Sequence, residues 1–325
     1  MTSESAPFYS NTPNPATRFH PESVHVILNP KSGRGDGRQN ADRLKSLLAE
    51  SASILGPPIE TEVHVTTSAS ESTELARSLA TDPKRIVAAA GGDGTLHQVV
   101  RGMVGGVSPL GIIPLGTGND FVRTVGIPQD LKLAVQTLFN GVLQPLDIGT
   151  VNGLPFINVA RSGFDAVVAE RVNRGFRYLK GAAAYNAGIL STLFRFKPSN
   201  VKIIIDDQVW EGRAMLCSVA NAQYYGGGMR IAPNAQIDDG LLDLVILKET
   251  GLLEFLLAFP RVFKGTHIDH PKITILQGRN IRVVTDPPQP IFVDGEVIGK
   301  TPAEYSIIPA ALQVVTPDKT ANPGQ

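Results

Sequence analysis

From residue 22 the chain repeats one unit: an apolar, strand-like run, a loop, then a stretch with helical spacing. "SVHVILN" precedes "RQNADRLKSLLAE", "ETEVHVTT" precedes "ASESTELARSLA", "RIVAAA" precedes "TLHQVVRGMV", and "LGIIPLG" leads into "NDFVRTV". Strands that alternate with helices are joined by crossovers, and crossovers lay the strands parallel with helices on both faces. In such open sheets ligands bind at the carboxyl ends of the strands. The glycine loops after the first, third and fourth strands all fall on that edge.

Beyond residue 146 the unit is lost. Helical patterns persist at "FDAVVAERVNR", "AAAYNAGILSTLFRF" and "GLLEFLLAFPRVF". Between and after them come successive strand-like runs: "VKIIID", "VWEGRAMLCSVAN", "LLDLVILK", "KITILQ", "NIRVVT", "PIFVDGE" and "EYSIIP". Many strands with short turns predict a largely antiparallel second domain, a β-sandwich. The expected division is a flexible tail over 1–21, an α/β domain with a parallel sheet over 22–146, a β-rich domain over 147–303, and a second tail over 318–325.

A chain of 325 residues with 42% hydrophobic and 18% charged residues suits two packed domains and excludes a disordered protein. Formal net charge is zero, so no global field argues for nucleic acid. The single Cys217 rules out an internal disulfide and a multi-cysteine zinc site; in "AMLCSVA" it reads as a core residue of a protein in a reducing cytoplasm. The opening residues lack the apolar stretch of a secretory signal. "GLLEFLLAFPRVF", broken by Glu254, Pro260 and Arg261, is too short to span a bilayer.

Four glycine-bearing segments invite a phosphate-binding reading. "GEVIGKT" (295–301) has three residues between its glycines where a P-loop needs four, and Pro302 and a strand-like run follow it. "SGRGDGR" (32–38) lacks the dinucleotide spacing, so it is either a phosphate cradle or a plain turn. In "GGDGT" Gly91, Gly92 and Gly94 let a ligand approach the backbone, and Thr95 can cap the following helix. Asp93 then either holds a Mg²⁺ that accompanies the phosphates or caps a tight turn. "PLGTGNDF" (114–121) decides between these. With Gly116, Thr117, Gly118, Asn119 and Asp120 it brings a second set of glycines, a hydroxyl and a carboxylate to the same crevice.

"GGDGT" with "PLGTGNDF" resembles the catalytic domain of diacylglycerol kinases, sphingosine and ceramide kinases and the soluble bacterial lipid kinases. The resemblance extends through "NPKSGRG", "NVARSGFDAVV", "APNAQIDDGLLDLVIL" and "FVDGE", and so covers roughly residues 24 to 316. It implies an ATP-dependent lipid kinase of the NAD-kinase/diacylglycerol-kinase-like fold, the first domain binding nucleotide and the second the lipid. Residues 304–317 are expected to return and complete the first. Implied nucleotide contacts are Asn29, Lys31 in the following loop, Thr66, the segment Gly91, Gly92, Asp93, Gly94, Thr95, Leu96, His97 and Gln98, and then Gly116, Thr117 and Asn119. Asp93, Asp120 and Asp147 match a carboxylate network around Mg²⁺, and Gln236, Asp239 and Leu241 a second, structural metal site. Asp294 and Glu296 match the catalytic acids, with Asp93 beside them. Read as an extended segment, "DGE" points both acids to one face.

Two positions depart from the family pattern, which has Asn and Glu where this chain has His97 and Gln98. Arg161 stands where a small residue is usual; it reads either as an anion contact or as a surface arginine. Eight basic residues between 161 and 202 (Arg161, Arg171, Arg174, Arg177, Lys180, Arg195, Lys197 and Lys202) read either as a face for anionic membrane or as a solvated helical surface. The expected partners are a lipid substrate and an anionic membrane, with a homodimer as a candidate assembly. The expected place is the cytoplasm, peripheral at the inner face of the membrane. NAD kinase is the nearest alternative, since it shares the "GGDGT" loop, and a non-catalytic lipid-binding regulator is the alternative of another class.

Overall fold

The computed structural model describes residues 18–30, 37–54, 58–164, 166–167 and 196–318. Strands β1 (Ser23–Leu28), β3 (Arg85–Gly91) and β4 (Leu110–Pro114) are buried almost throughout, which is why they read as unbroken apolar runs. β1 lies between β2 (Glu60–Val65) and β3, and β3 pairs with β4, all in parallel. β2 is the outermost strand.

Helices α1 (Gly37–Ser53), α2 (Ala69–Leu79) and α3 (Asp93–Met103) make the crossovers. Two later helices follow, α4 (Asp120–Val125) and α5 (Leu131–Asn140). α1 and α5 bury Leu44, Leu48, Val135 and Leu138 against Val24, Val26 and Leu28 on one face. α2 and α3 bury Ala76, Val99, Val100 and Met103 against Ile27, Val87 and Ala89 on the other. Alternate residues of β1 thus feed two separate cores, as the strand period requires.

The second half is antiparallel, as its strand-like runs predict. Its strands are β5 (Val142–Val151), β6 (Leu154–Phe156), β7 (Val159–Gly163), β8 (Ser199–Ile205), β9 (Gln208–Ala220), β10 (Leu242–Lys248), β11 (Ile273–Gly278), β12 (Asn280–Asp286), β13 (Pro290–Val293), β14 (Glu296–Lys300) and β15 (Ala303–Thr316). A core of Ile203, Val219, Leu244, Ile281 and Val283 closes around the buried Cys217. The 14-residue β15 joins the two halves. Its beginning pairs with β12, its length with β5, and Val314 meets Leu110 of β4 in parallel. The register of β15 against β5 breaks between Ile308 and Leu312, where Ala310 takes a left-handed φ of 46°.

The window "GLLEFLLAFPRVF" forms a helix, Leu252–Ala258, continued by a 3-10 turn over Phe259–Lys264 that accommodates Pro260. Among the described residues no helix is long and apolar enough to cross a membrane. The patterns "FDAVVAERVNR" and "AAAYNAGILSTLFRF" fall mostly outside the described residues, as do Arg171, Arg174, Arg177, Lys180 and Arg195 of the basic cluster. Arg161 and Lys202 lie among the described residues. Arg161 is buried between the rings of Tyr225 and Phe292, 4.6 and 4.5 Å from their centroids, so the surface-arginine reading is wrong. Lys202 is paired across β8 and β9 with Glu211 at 2.7 Å.

Candidate active site

The carboxyl ends of β1, β2 and β3 open into a polar cleft of about 420 Å³. Its walls include Asn29, Thr66, Gly92, Gly94, Thr95, Gln98, Asp294 and Glu296, all expected from the sequence. Thr67, Ser68, Ala69 and Ser72 line it as well and were not expected. Their signal was legible: "SASE" is a capping box at the start of α2. The Ser68 hydroxyl accepts the Glu71 N–H at 3.2 Å, and Glu71 accepts the Thr67 N–H and hydroxyl at 2.7 Å each. The N-termini of α2 and α3 therefore both face the cleft, with their dipoles aimed at whatever occupies it.

The two glycine loops touch. A Cβ on Gly116 would lie 2.5 Å from the Gly92 Cα, so neither loop can take a side chain there without moving. Asn119, at φ 50°, spans its own loop, donating from Nδ2 to the Gly116 carbonyl and to Gln129 Oε1 at 2.9 Å each. Asn119 is thus a structural brace, and Leu96 packs in the core of the first domain; neither side chain is part of the cleft wall. Thr117 is exposed beside it, and Lys31 lies outside the described residues.

Asp93 and Asp120 are brought together. Asp93 Oδ1 accepts the Asp120 N–H at 2.8 Å, while Asp120 accepts the N–H groups of Gly227 and Gly228 at 2.8 and 2.7 Å. Burial, and next the charge of Asp120, push the Asp93 carboxyl up to about 6, against the pull of the Phe121 and Asp120 N–H groups. Two adjacent carboxylates, one of them raised by burial and by its neighbour's charge, form a donor set suited to a hard cation. Asp147 has partners of its own. Its oxygens accept the Gly240 and Ala310 N–H groups at 2.6 Å each, which anchors the break in β15 to the loop that carries Asp239. In that loop Asp239 accepts the Leu241 N–H at 2.9 Å, and burial followed by the charges of Asp147 and Asp238 raises its carboxyl. Asp147 is thereby tied to the loop that carries Gln236, Asp239 and Leu241.

The two acids of "DGE" differ from the sequence reading in a specific way. "DGE" is not extended: Asp294 and Gly295, at φ 42° and 105°, form the two-residue turn of the β13–β14 hairpin. The turn sends Asp294 inward and Glu296 outward, so the side chains are 1% and 56% exposed. Glu296 stands 3.8 Å from Arg101. Asp294 Oδ2 lies 2.7 Å from His97 Nδ1, itself 1% exposed, and accepts the Ile157 N–H at 3.1 Å. Burial alone would raise the Asp294 carboxyl; His97 and the Ile157 and Asn158 N–H groups overcome it and hold it below the usual range. The His97 side chain, at a position expected to touch nucleotide, is paired with Asp294. Gln98 does reach the cleft, and its Oε1 accepts the Thr73 hydroxyl at 3.1 Å.

Residues 23–151 match the diacylglycerol kinase catalytic domain, and residues 158–316 match the YegS C-terminal NAD kinase beta sandwich-like domain. A diacylglycerol kinase of Bacillus subtilis is 33% identical over 301 residues, 92% of this chain and 97% of that relative. The chain belongs to the diacylglycerol kinase family. A diacylglycerol kinase of Mycobacterium tuberculosis is 32% identical over 305 residues, 90% of this chain and 95% of its own. The crystal structure of a diacylglycerol kinase from Bacillus anthracis superposes with a TM-score of 0.71 at 25% identity, over 91% of this chain and 97% of that one. Membership of the family makes the chain a kinase.

Proposed function

We propose that this kinase transfers the γ-phosphoryl group of Mg-ATP to the hydroxyl of a diacylglycerol-like lipid. The observation that carries the reading is the polar cleft, where two helix N-termini converge on one wall and the buried Asp294 stands on another. Helix N-termini and glycine N–H groups favour phosphate oxygens. Asp93 and Asp120 are the residues to hold Mg²⁺, which supplies neutralisation of the phosphate charge when bound. Asp239, with the Gln236 and Leu241 carbonyls, is assigned the second, structural cation.

In the transfer step the lipid hydroxyl gives its proton to Asp294, and the hydroxyl oxygen bonds to the γ-phosphorus as the bond to the departing ADP breaks. His97 keeps the buried carboxylate charged and turned in one direction, and water is largely excluded from the pair. Glu296, exposed and near Arg101, orients the acceptor side.

An apolar pocket in the second domain, lined by Phe164, Tyr225, Met229, Val245, Phe255 and Phe259, suits a hydrocarbon chain. The helix over it exposes Leu253 and Leu257, each 71% exposed, with Phe263 beside them. This surface, together with Arg261 and Lys264, is assigned to contact with an anionic membrane in the cytoplasm. Incubation with labelled ATP and a panel of diacylglycerol, phosphatidylglycerol, sphingoid base and ceramide, with NAD as control, tests the reading. Labelled lipid supports it; labelled NAD alone overturns it.

A further inference from the structure

Three metal-binding side chains meet at the outer edge of the parallel sheet, away from the phosphate loops. His25 of β1 lies opposite Glu62 of β2, and His64 follows two residues later on the same face. His25 Nδ1 is 3.1 Å from His64 Nε2 and 3.6 Å from Glu62 Oε2, and Glu62 Oε1 is 3.5 Å from His64 Nδ1. One donor atom from each residue lies within 4.8 Å of the other two, the one such trio of His, Cys, Asp or Glu among the described residues.

Ligand atoms about 2.0–2.1 Å from a tetrahedral zinc stand about 3.3 Å from one another. The 3.1 and 3.5 Å contacts use different nitrogens of His64. One ion would meet a single nitrogen of each ring and one carboxylate oxygen, which lie within 4.8 Å of one another and need a modest closure to reach that value. At 3.5 and 3.6 Å the carboxylate is too far to hydrogen-bond either ring well, yet it faces both. Two imidazoles and a carboxylate are a donor set for zinc-class ions, and a poor one for Mg²⁺, which prefers all-oxygen surroundings. The His25 side chain is 9% exposed and fixed within the sheet, whereas His64 at 20% and Glu62 at 55% leave a path for an ion and room for water. The other charges near His25 are Arg85, held by Asp82 at 3.8 Å and by the Leu79 carbonyl at 3.2 Å, and Glu60.

We propose that His25, Glu62 and His64 bind one zinc-class divalent ion, with water completing its coordination. The ion would clasp the edge strand β2 to β1. It would sit two residues before Thr66 and four before Asn29, both on the wall of the cleft. The site would therefore stiffen the floor of the nucleotide cleft and shield a sheet edge that is otherwise open to pairing.

The test uses the full-length, tag-free protein after chelation. Titration with Co²⁺ should develop the visible absorption of four-coordinate cobalt to one ion per chain, and Zn²⁺ should abolish it while excess Mg²⁺ does not. Zn²⁺ should also raise the thermal midpoint of the wild type. His64→Gln and Glu62→Gln, at partly exposed positions on an edge strand, should fold with unchanged circular dichroism and lose roughly tenfold or more in affinity each. Absence of the cobalt absorption overturns the proposal, and so does binding that survives both substitutions.

Discussion

Removing the His97 imidazole strands a carboxylate. In His97→Ala the Asp294 side chain, 1% exposed, loses the ring 2.7 Å away and keeps the N–H groups of Ile157 and Asn158. Breaking a buried pair from one side costs about 3–5 kcal/mol, and the surviving N–H groups place this case near the lower figure. The pH dependence has a definite sign. In the wild type the Asp294 carboxyl is held below its usual range, so the pair contributes stability above the ordinary aspartate range. That contribution is lost only as pH falls through the depressed value. In the variant, unopposed burial drives the carboxyl upward, and the folded state takes up a proton before the unfolded chain does. The deficit is therefore largest near about pH 8 and shrinks toward about pH 5. Urea denaturation across that range measures it. The same change moves the acid limb of the kcat profile to higher pH and lowers phosphotransfer near neutrality by roughly a hundredfold. His97→Asn, which keeps a hydrogen-bond donor on a smaller side chain, should fall between. A deficit that does not vary with pH, together with an unmoved acid limb, refutes the pairing argument.

Asp93→Asn should abolish phosphotransfer yet stabilise the protein in EDTA. The carboxyl stands near 6 against 3.8 for a free aspartate, worth up to about 3 kcal/mol at neutral pH. Because the folded-state value is raised, the wild type loses stability as pH rises from about 4 to about 6, and the gain from Asn should vanish at the acid end in denaturant titrations. Gly116→Ala puts a methyl 2.5 Å from the Gly92 Cα and should raise the KM for ATP severalfold, by a thermal shift of no more than a few degrees. Leu253→Glu with Leu257→Glu should cut sedimentation with anionic vesicles roughly tenfold and leave the thermal midpoint unchanged, since both side chains already face solvent.

The fold was legible because each element of the first half carries its own period, and because β1, β3 and β4 must be apolar on both faces to sit inside a parallel sheet. The cleft was legible through its glycine loops and, less obviously, through the capping box at Ser68. What escaped were features set by chain reversal or by distant partners. Asp-Gly at 294–295 is a strong hairpin signal, yet the apolar run before it invites an extended reading that turns Asp294 the wrong way. His97 takes its meaning from Asp294, nearly two hundred residues on, and Arg161 from the rings of Tyr225 and Phe292. No local pattern announces such partners. Asp147 shows the same limit. Its "PLDIG" setting does not reveal that its oxygens are committed to Gly240 and Ala310.

The strand that joins the two halves also sets an order of events. β4 has β3 on one side and β15 on the other, and Val314 comes after every other strand has been made. During vectorial synthesis the first domain therefore waits, with one sheet edge unsealed, until β15, at Ala303–Thr316, has followed β4 and all the strands of the second half out. An amino-terminal fragment ending near residue 150 should keep that edge and behave as a self-associating species. Completion of the parallel half is thus timed by a strand made only after the rest of the antiparallel half.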